Sequence, residues 1–273
     1  MKMIIDVKST ADISLQRLDA LRTQGFSVKV RVQDDEHYPK GKIYELDTFC
    51  SIKRIVEGLL KDCPLPNPAN PNSEKEIFAY VYTKLAFLIE YDDIASKVIH
   101  SNNSLRNYAE DYLYQSAGMD GALIGRFALC SGFSETLRNL LAERGIESKY
   151  ITGTVRLNNK KGNHAWNQVK LDGEWFNCDI THDLKSVREG LPAQNFLRSN
   201  KTFMEYGKYP KMESVKNERA TRDISIEEQA ELLGMWRDFV ISESTKKPPE
   251  KKSGFLKALV EKIFPKQAEE KEK

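Results

Sequence analysis

The chain has 273 residues, enough for one large domain or for a core domain with a smaller companion, and 40% of them are hydrophobic, 10% aromatic and 30% charged. That is the composition of a globular protein able to fill a core and keep its outside solvated. Lys and Arg number 42 against 40 for Asp and Glu, so no overall field draws the chain to nucleic acid or to an acidic polymer.

The four cysteines, at 50, 63, 130 and 178, are too irregularly spaced for the disulfide framework of a small secreted domain, and free thiols are expected. The first residues offer only Met3, Ile4 and Ile5 before Asp6, short of a signal peptide's apolar region. No stretch approaches the roughly 18 apolar residues of a membrane span. A cytoplasmic location is the expectation, although export without a cleaved signal fits the same pattern.

In chain order, Met3 to Lys8 and Phe26 to Val32 are β-branched runs flanking Ser14 to Thr23, where Leu15, Leu18 and Leu21 recur at helical spacing before Gly25. They predict a small strand, helix, strand unit. A helix follows over Asp47 to Leu60, and Pro64, Pro66, Pro68 and Pro71 then break the chain, which marks a boundary. Ser73 and Glu76 have capping-box spacing and open a long helix to about Glu90, with Ile77, Tyr80, Val81, Leu85 and Leu88 on one face. Ser104 to Gln115 reads as a further helix, after which Gly118, Gly121 and Gly125 loosen the chain.

From Cys130 the pattern changes. Phe133, Leu137, Leu140 and Leu141 form one helical stripe that Gly145 ends. Three strands are predicted next: Lys149 to Val155, His164 to Leu171 and Glu174 to Asp179, with Asp172 and Gly173 as a tight hairpin turn between the last two. Ser225 and Glu228 repeat the capping-box spacing at the start of a helix carrying Ile226, Ala230, Leu233, Trp236 and Val240. Thr245 to Ser253 is a lysine and proline linker, and no internal repeat is present.

A cysteine nucleophile acts as the thiolate, which a helix N-terminus and a nearby histidine can stabilise, taking its pKa from about 8.5 to roughly 3.5–7.5. Cys130 begins its helix, so backbone donors would face the sulfur and any oxyanion formed beside it. His164 opens one strand of the hairpin and Asp179 ends the other. Pairing outward from the turn sets Leu171 against Glu174 and Val169 against Phe176, which brings His164 within a residue or two of Asp179. A carboxylate there would fix the imidazole's tautomer and orientation, completing a set of nucleophile, base and orienter.

Three motifs in order, Leu129-Cys130-Ser131-Gly132-Phe133, Gly162-Asn163-His164-Ala165-Trp166-Asn167-Gln168-Val169 and Asp172-Gly173-Glu174-Trp175-Phe176-Asn177-Cys178-Asp179-Ile180-Thr181, resemble the transglutaminase-like superfamily. The similarity runs from about Ser73 to Arg222 and includes Glu90-Tyr91-Asp92. It implies an α+β, papain-like fold in which the helix bearing Cys130 packs on a small antiparallel sheet bearing His164 and Asp179. It also implies thiol acyl transfer on an amide, with Cys130, His164 and Asp179 as catalytic residues and neither cofactor nor metal. Where many relatives carry an aromatic residue shortly after the aspartate, this chain has His182. Tyr91, Asn167 and Trp166 are all conceivable oxyanion donors.

A zinc site built from Cys130, His164, Cys178 and His182 is opposed by strand alternation, which turns Cys178 away from its neighbour Asp179, and the spacing matches no common zinc pattern. Cys178, Trp166 and Trp175 are expected in the core or pocket wall. Residues 1–66 then form an N-terminal α/β extension, 67–243 the catalytic core, and 244–273 a linker with a C-terminal amphipathic helix. In the tail Phe255, Leu256, Leu259, Val260, Ile263 and Phe264 form an apolar stripe able to dock on the chain's own core, on a partner protein or on an anionic membrane surface. The expected substrate is a protein or peptide. Hydrolysis by a cysteine peptidase or deamidase is favoured because water is always at hand. The alternatives are a cross-linking transglutaminase, which needs a second dry channel for an amine, and a non-catalytic interaction module.

Overall fold

The computed structural model describes residues 2–25, 27–34, 38–157, 160–210 and 219–244; the linker from Thr245 and the amphipathic tail expected from the sequence lie outside them. At the N-terminus β1 (Lys2–Val7), α1 (Leu15–Thr23) and β2 (Ser27–Asp34) form the expected strand, helix, strand unit, with β1 and β2 parallel and α1 as the crossover. The Ser14 hydroxyl caps α1 by accepting from the Arg17 amide at 3.3 Å. An additional strand, β3 (Tyr38–Glu45), pairs antiparallel with β2, and α2 (Leu46–Leu59) follows it directly.

The long helix α3 (Ser73–Leu88) runs through the middle of the molecule, with Ile77, Phe78, Ala79, Tyr80, Val81, Tyr82 and Leu85 all buried. Apolar residues on every side make it a core helix rather than an amphipathic one. The capping box expected from Ser73 and Glu76 does not form. Asn72 is the cap, the Ser73 hydroxyl donates to the Asn67 carbonyl at 3.1 Å, and Glu76 accepts from the Asn70 amide at 3.1 Å. The proline-rich entry thus claims the side chains that would otherwise cap the helix.

Then come β4 (Glu90–Tyr91), α4 (Asp93–Ile99), α5 (Asn103–Tyr108) and α6 (Glu110–Ser116). The single helix expected over Ser104 to Gln115 is two, broken at Ala109. The break brings Tyr112 and Ser116 onto the buried Asp92 carboxylate, at 2.5 and 2.7 Å, while Asp92 also caps α4 through the Ala95 amide at 3.0 Å. The glycine-rich stretch forms a π-helical turn, Asp120–Gly125, before β5 (Phe127–Ala128) pairs parallel with β4 and hands the chain to α7 (Cys130–Ala142).

The second sheet holds β6 (Ser148–Leu157), β7 (Lys160–Leu171), β8 (Glu174–Cys178) and β9 (Lys208–Pro210), antiparallel in the order β8-β7-β6-β9. The β7–β8 hairpin turns through Asp172 and Gly173, at φ of 52° and 82°, the left-handed pair that an Asp-Gly turn adopts. Its register sets Leu171 against Glu174 and Val169 against Phe176, as the sequence implied. The pairing stops at Asn167 and Cys178, because α8 (Ile180–Glu189) begins immediately after Asp179. α9 (Asn200–Glu205) precedes β9, and α10 (Ile226–Ser244) closes against α3, where Tyr80 and Trp236 meet edge to face at 5.1 Å. Only half of the second expected capping box forms, the Glu228 amide donating to Ser225 at 3.0 Å.

The result is an α+β fold in which α7 packs across β6 and β7 of the antiparallel sheet. Phe133, Leu137, Leu140 and Leu141 of α7 are fully buried, each contributing roughly 1.5–3 kcal/mol relative to exposure. They share one hydrophobic cluster with Val30, Phe49 and Ile52 of the N-terminal unit and with Val169 and Phe176 of the sheet. Polar ties reinforce this contact. Tyr44 donates to Glu135 at 3.0 Å, the Thr10 amide to Asn139 at 2.8 Å, and Lys53 to Glu143 at 2.7 Å. Among the described residues no helix is long and apolar enough to cross a membrane.

Candidate active site

Cys130 is the first residue of α7, and Leu129 caps the helix without a side-chain hydrogen bond, so the cap residue leaves the helix's first amides unclaimed. The approach is held tightly: the Leu129 amide donates to the Ser116 carbonyl at 2.8 Å. A Cβ placed on Gly132 would lie 2.8 Å from that same carbonyl oxygen, so only glycine admits this turn so close to α6. Cys130 is half-buried, whereas Cys50, Cys63 and Cys178 are buried, and all four thiols are free.

His164 lies on β7, opposite Gly153 of β6, and Asp179 is the N-cap of α8. The two meet across the end of the hairpin, His164 Nε2 at 2.8 Å from Asp179 Oδ2, with side chains 6% and 1% exposed. Burial opposes a charge on His164. The field and hydrogen bond of Asp179, together with Cys130, outweigh it and push the imidazole up to about 10. Because Nε2 faces the carboxylate, Nδ1 is the ring nitrogen left for the sulfur. Burial likewise opposes the charge on Asp179, but His164 and His182 hold its carboxyl well below the usual range. All three residues singled out in the sequence therefore come together.

Asp179 has two further partners. The His182 Nδ1 lies 3.0 Å from the same oxygen, Oδ2, and its ring stacks on His164 with centroids 4.5 Å apart and planes 6° from parallel. The Lys208 ammonium, 3% exposed, is 3.5 Å from Oδ2 and donates to the Asn195 side chain. Asn195 in turn donates to Asp183 at 2.8 Å, and burial pushes Asp183 up to about 6 while Tyr82 donates to it at 2.9 Å. His182 stands out in the sequence as a departure and as a member of the zinc set considered there. Lys208 gave no signal there, and α8 could have been found from Asp179 as a cap with Ile180, Leu184 and Val187 at helical spacing.

His164, Asp179 and His182 present potential metal-ligand atoms within 4.8 Å of one another. Both rings direct a nitrogen at one carboxylate oxygen already flanked by a buried ammonium, an arrangement that suits hydrogen bonds better than a cation. Cys178 points away, its thiol directed at the Asn167 carbonyl at 3.7 Å, so the zinc set considered from the sequence does not assemble. Of the conceivable oxyanion donors, Asn167 commits its amide to the Ser134 and Lys149 carbonyls at 3.0 and 3.2 Å. Tyr91 pairs in register with Ala128, two residues before Cys130, and Cys130 is among the groups that face its hydroxyl.

A cysteine at a helix start thus stands beside a histidine of the adjoining antiparallel sheet, whose aspartate partner caps the next helix, an arrangement suited to thiol chemistry. Residues 69–180 match the model of the transglutaminase-like superfamily. The match begins near α3 and ends just past Asp179, so it does not reach Arg222. Among solved structures the chain is similar to a TGase, at 19% identity and a TM-score of 0.37 over 75% of this chain and 51% of that one. It is also similar to a candidate cysteine protease from Cytophaga hutchinsonii, at 20% identity and a TM-score of 0.32 over 54% of this chain and 40% of that one. The chain thus spans about half the length of these structures or less. No curated protein matches it.

Proposed function

We propose that this chain is a thiol-dependent enzyme acting on amide bonds of a protein or peptide through an acyl-enzyme thioester, with Cys130 as nucleophile, His164 as acid and base, and Asp179 as orienter. The observation that carries the reading is the buried 2.8 Å contact between His164 and Asp179, with the other face of the imidazole turned to a half-exposed thiol at a helix start.

The Cys130 sulfur attacks the amide carbonyl, and the oxyanion develops beside the first amides of α7. His164 passes its proton to the departing nitrogen as the C–N bond breaks, leaving a thioester and a neutral imidazole. That imidazole then takes a proton from water, the hydroxyl attacks the thioester carbonyl, and the C–S bond breaks to release the acid. The proton returns to the cysteine and histidine pair. Hydrolysis is the preferred outcome because water needs no second approach channel.

The test is incubation with a peptide library, with and without an added primary amine, with products identified by mass. Gain of water or loss of ammonia is expected, and incorporation of the amine as the main product would move the assignment to transamidation. Cys130→Ala and His164→Ala should abolish turnover while the circular dichroism spectrum stays unchanged. Turnover by the folded Cys130→Ala protein would overturn the proposal.

A further inference from the structure

The feature with no assigned role is the second histidine on Asp179. Asp179 Oδ2 stands 2.8 Å from His164 Nε2 and 3.0 Å from His182 Nδ1. Oδ1 accepts the His182 backbone amide at 3.4 Å. One residue thus contacts both carboxylate oxygens, through its main chain and through its ring. The side chain of His182 is 24% exposed, against 6% for His164, so its ring lies on the solvent side of the site while its face covers the inner imidazole at 4.5 Å.

We infer that His182 is a positioning residue of the reaction, acting through Asp179 and against the face of His164; the inference rests on the proposed cysteine, histidine and aspartate chemistry. Two physical effects follow from the geometry. First, an N–H donated to Oδ2 withdraws carboxylate charge from His164, so the imidazolium is held less tightly and gives its proton to a leaving amine more readily. Second, the parallel stack restricts rotation of the His164 ring, keeping Nδ1 toward the sulfur and Nε2 toward the carboxylate. The other groups facing Asp179 are Lys208 from β9, Cys178 from β8, and Asp183 from α8 with its partner Tyr82 from α3, while Cys130 of α7 faces His164. Of these, the buried Lys208 ammonium lies 3.5 Å from Oδ2. On the solvent side of the carboxylate, the donor at Oδ2 is the ring of His182.

Three variants separate the two effects. His182→Phe keeps a ring for stacking and loses the donor, His182→Asn keeps a donor near the Nδ1 position and loses the ring, and His182→Ala loses both. For each, kcat and KM are measured against pH together with the rate at which iodoacetamide alkylates Cys130, and melting is followed to confirm folding. His182→Phe is expected to lose about tenfold in kcat with KM little changed, and its alkaline limb should move up by about half to one pH unit. His182→Asn should restore the limb while recovering only part of kcat, and His182→Ala should lose at least as much as the phenylalanine variant.

An alkaline limb that stays in place in both the phenylalanine and alanine variants overturns the inference, as does an equal fall in all three that tracks their melting. Failure of the underlying triad reading looks different. It appears in the unmodified protein, as slow alkylation of Cys130 or as turnover that survives Cys130→Ala, whatever the His182 variants do.

Discussion

Asp179→Asn isolates the charge of the buried carboxylate with little change of shape. Asparagine is as good an N-cap as aspartate, so the contact that starts α8 can persist. What disappears is the field on His164. The imidazole stands at about 10 against an ordinary 6.5, and at about 1.4 kcal/mol per unit this rise represents roughly 5 kcal/mol. Coulomb attraction between two unit charges about 4 Å apart, at an effective dielectric near 20, amounts to about 4 kcal/mol. His164 is nearly enclosed, so solvent screening takes little from either figure.

The sign follows from the direction of both shifts. A histidine raised in the folded state contributes its full stability below 6.5 and loses it as pH climbs through about 10. The same contact, seen from the depressed carboxyl of Asp179, is present above 3.8 and lost as pH falls below that. Urea unfolding should therefore find Asp179→Asn less stable by about 3–5 kcal/mol near pH 6, with the gap narrowing steadily toward pH 10. Turnover should fall by roughly 10²–10⁴-fold, less than for removal of the sulfur or imidazole, and the alkaline limb should drop to the ordinary histidine range or below. A stability difference that stays the same from pH 6 to pH 10 would mean that packing, not charge, is what the carboxylate supplies, and the reasoning would fail.

Other outcomes can be checked with less effort. At pH 6 an electrophile should label Cys130 well before the other thiols, because burial raises Cys50 and Cys178 and pushes Cys63 up to about 11; uniform labelling would count against the site. Glu135, buried on α7 and accepting from Tyr44, is pushed up to about 7 by burial despite Lys42 and Arg138, so the folded state should lose stability as pH rises from 4.5 through 7. Glu135→Gln should match the unmodified protein at pH 4.5 and exceed it by about 1–3 kcal/mol at pH 8, and a less stable variant at pH 8 would show that the two cations dominate. Deleting residues 251–273, which lie outside the described structure, should leave turnover of a small peptide unchanged while abolishing any salt-sensitive binding to anionic vesicles; a lower melting temperature with reduced turnover would instead mean that the tail packs on the core.

The local features of the site were legible in the sequence because they depend on contacts near in the chain. The stripe of Phe133, Leu137, Leu140 and Leu141 gives α7, and the Asp172-Gly173 turn fixes the register of β7 and β8 that brings His164 to Asp179. Periodicity and turn chemistry are short-range, so one chain carries them unaided. The break at Ala109, the failed capping box at Ser73 and the strand β3 were decided elsewhere, by a buried carboxylate at Asp92, by the proline-rich entry that engages Ser73, and by an open edge of β2. The surroundings of Asp179 belong to the same class. Lys208 arrives from a strand 29 residues further along, and His182 reaches the carboxylate because α8 starts where the hairpin stops. No spacing rule links these positions, since a buried carboxylate takes whatever donors the packed elements bring within reach, and only the tertiary structure decides which those are.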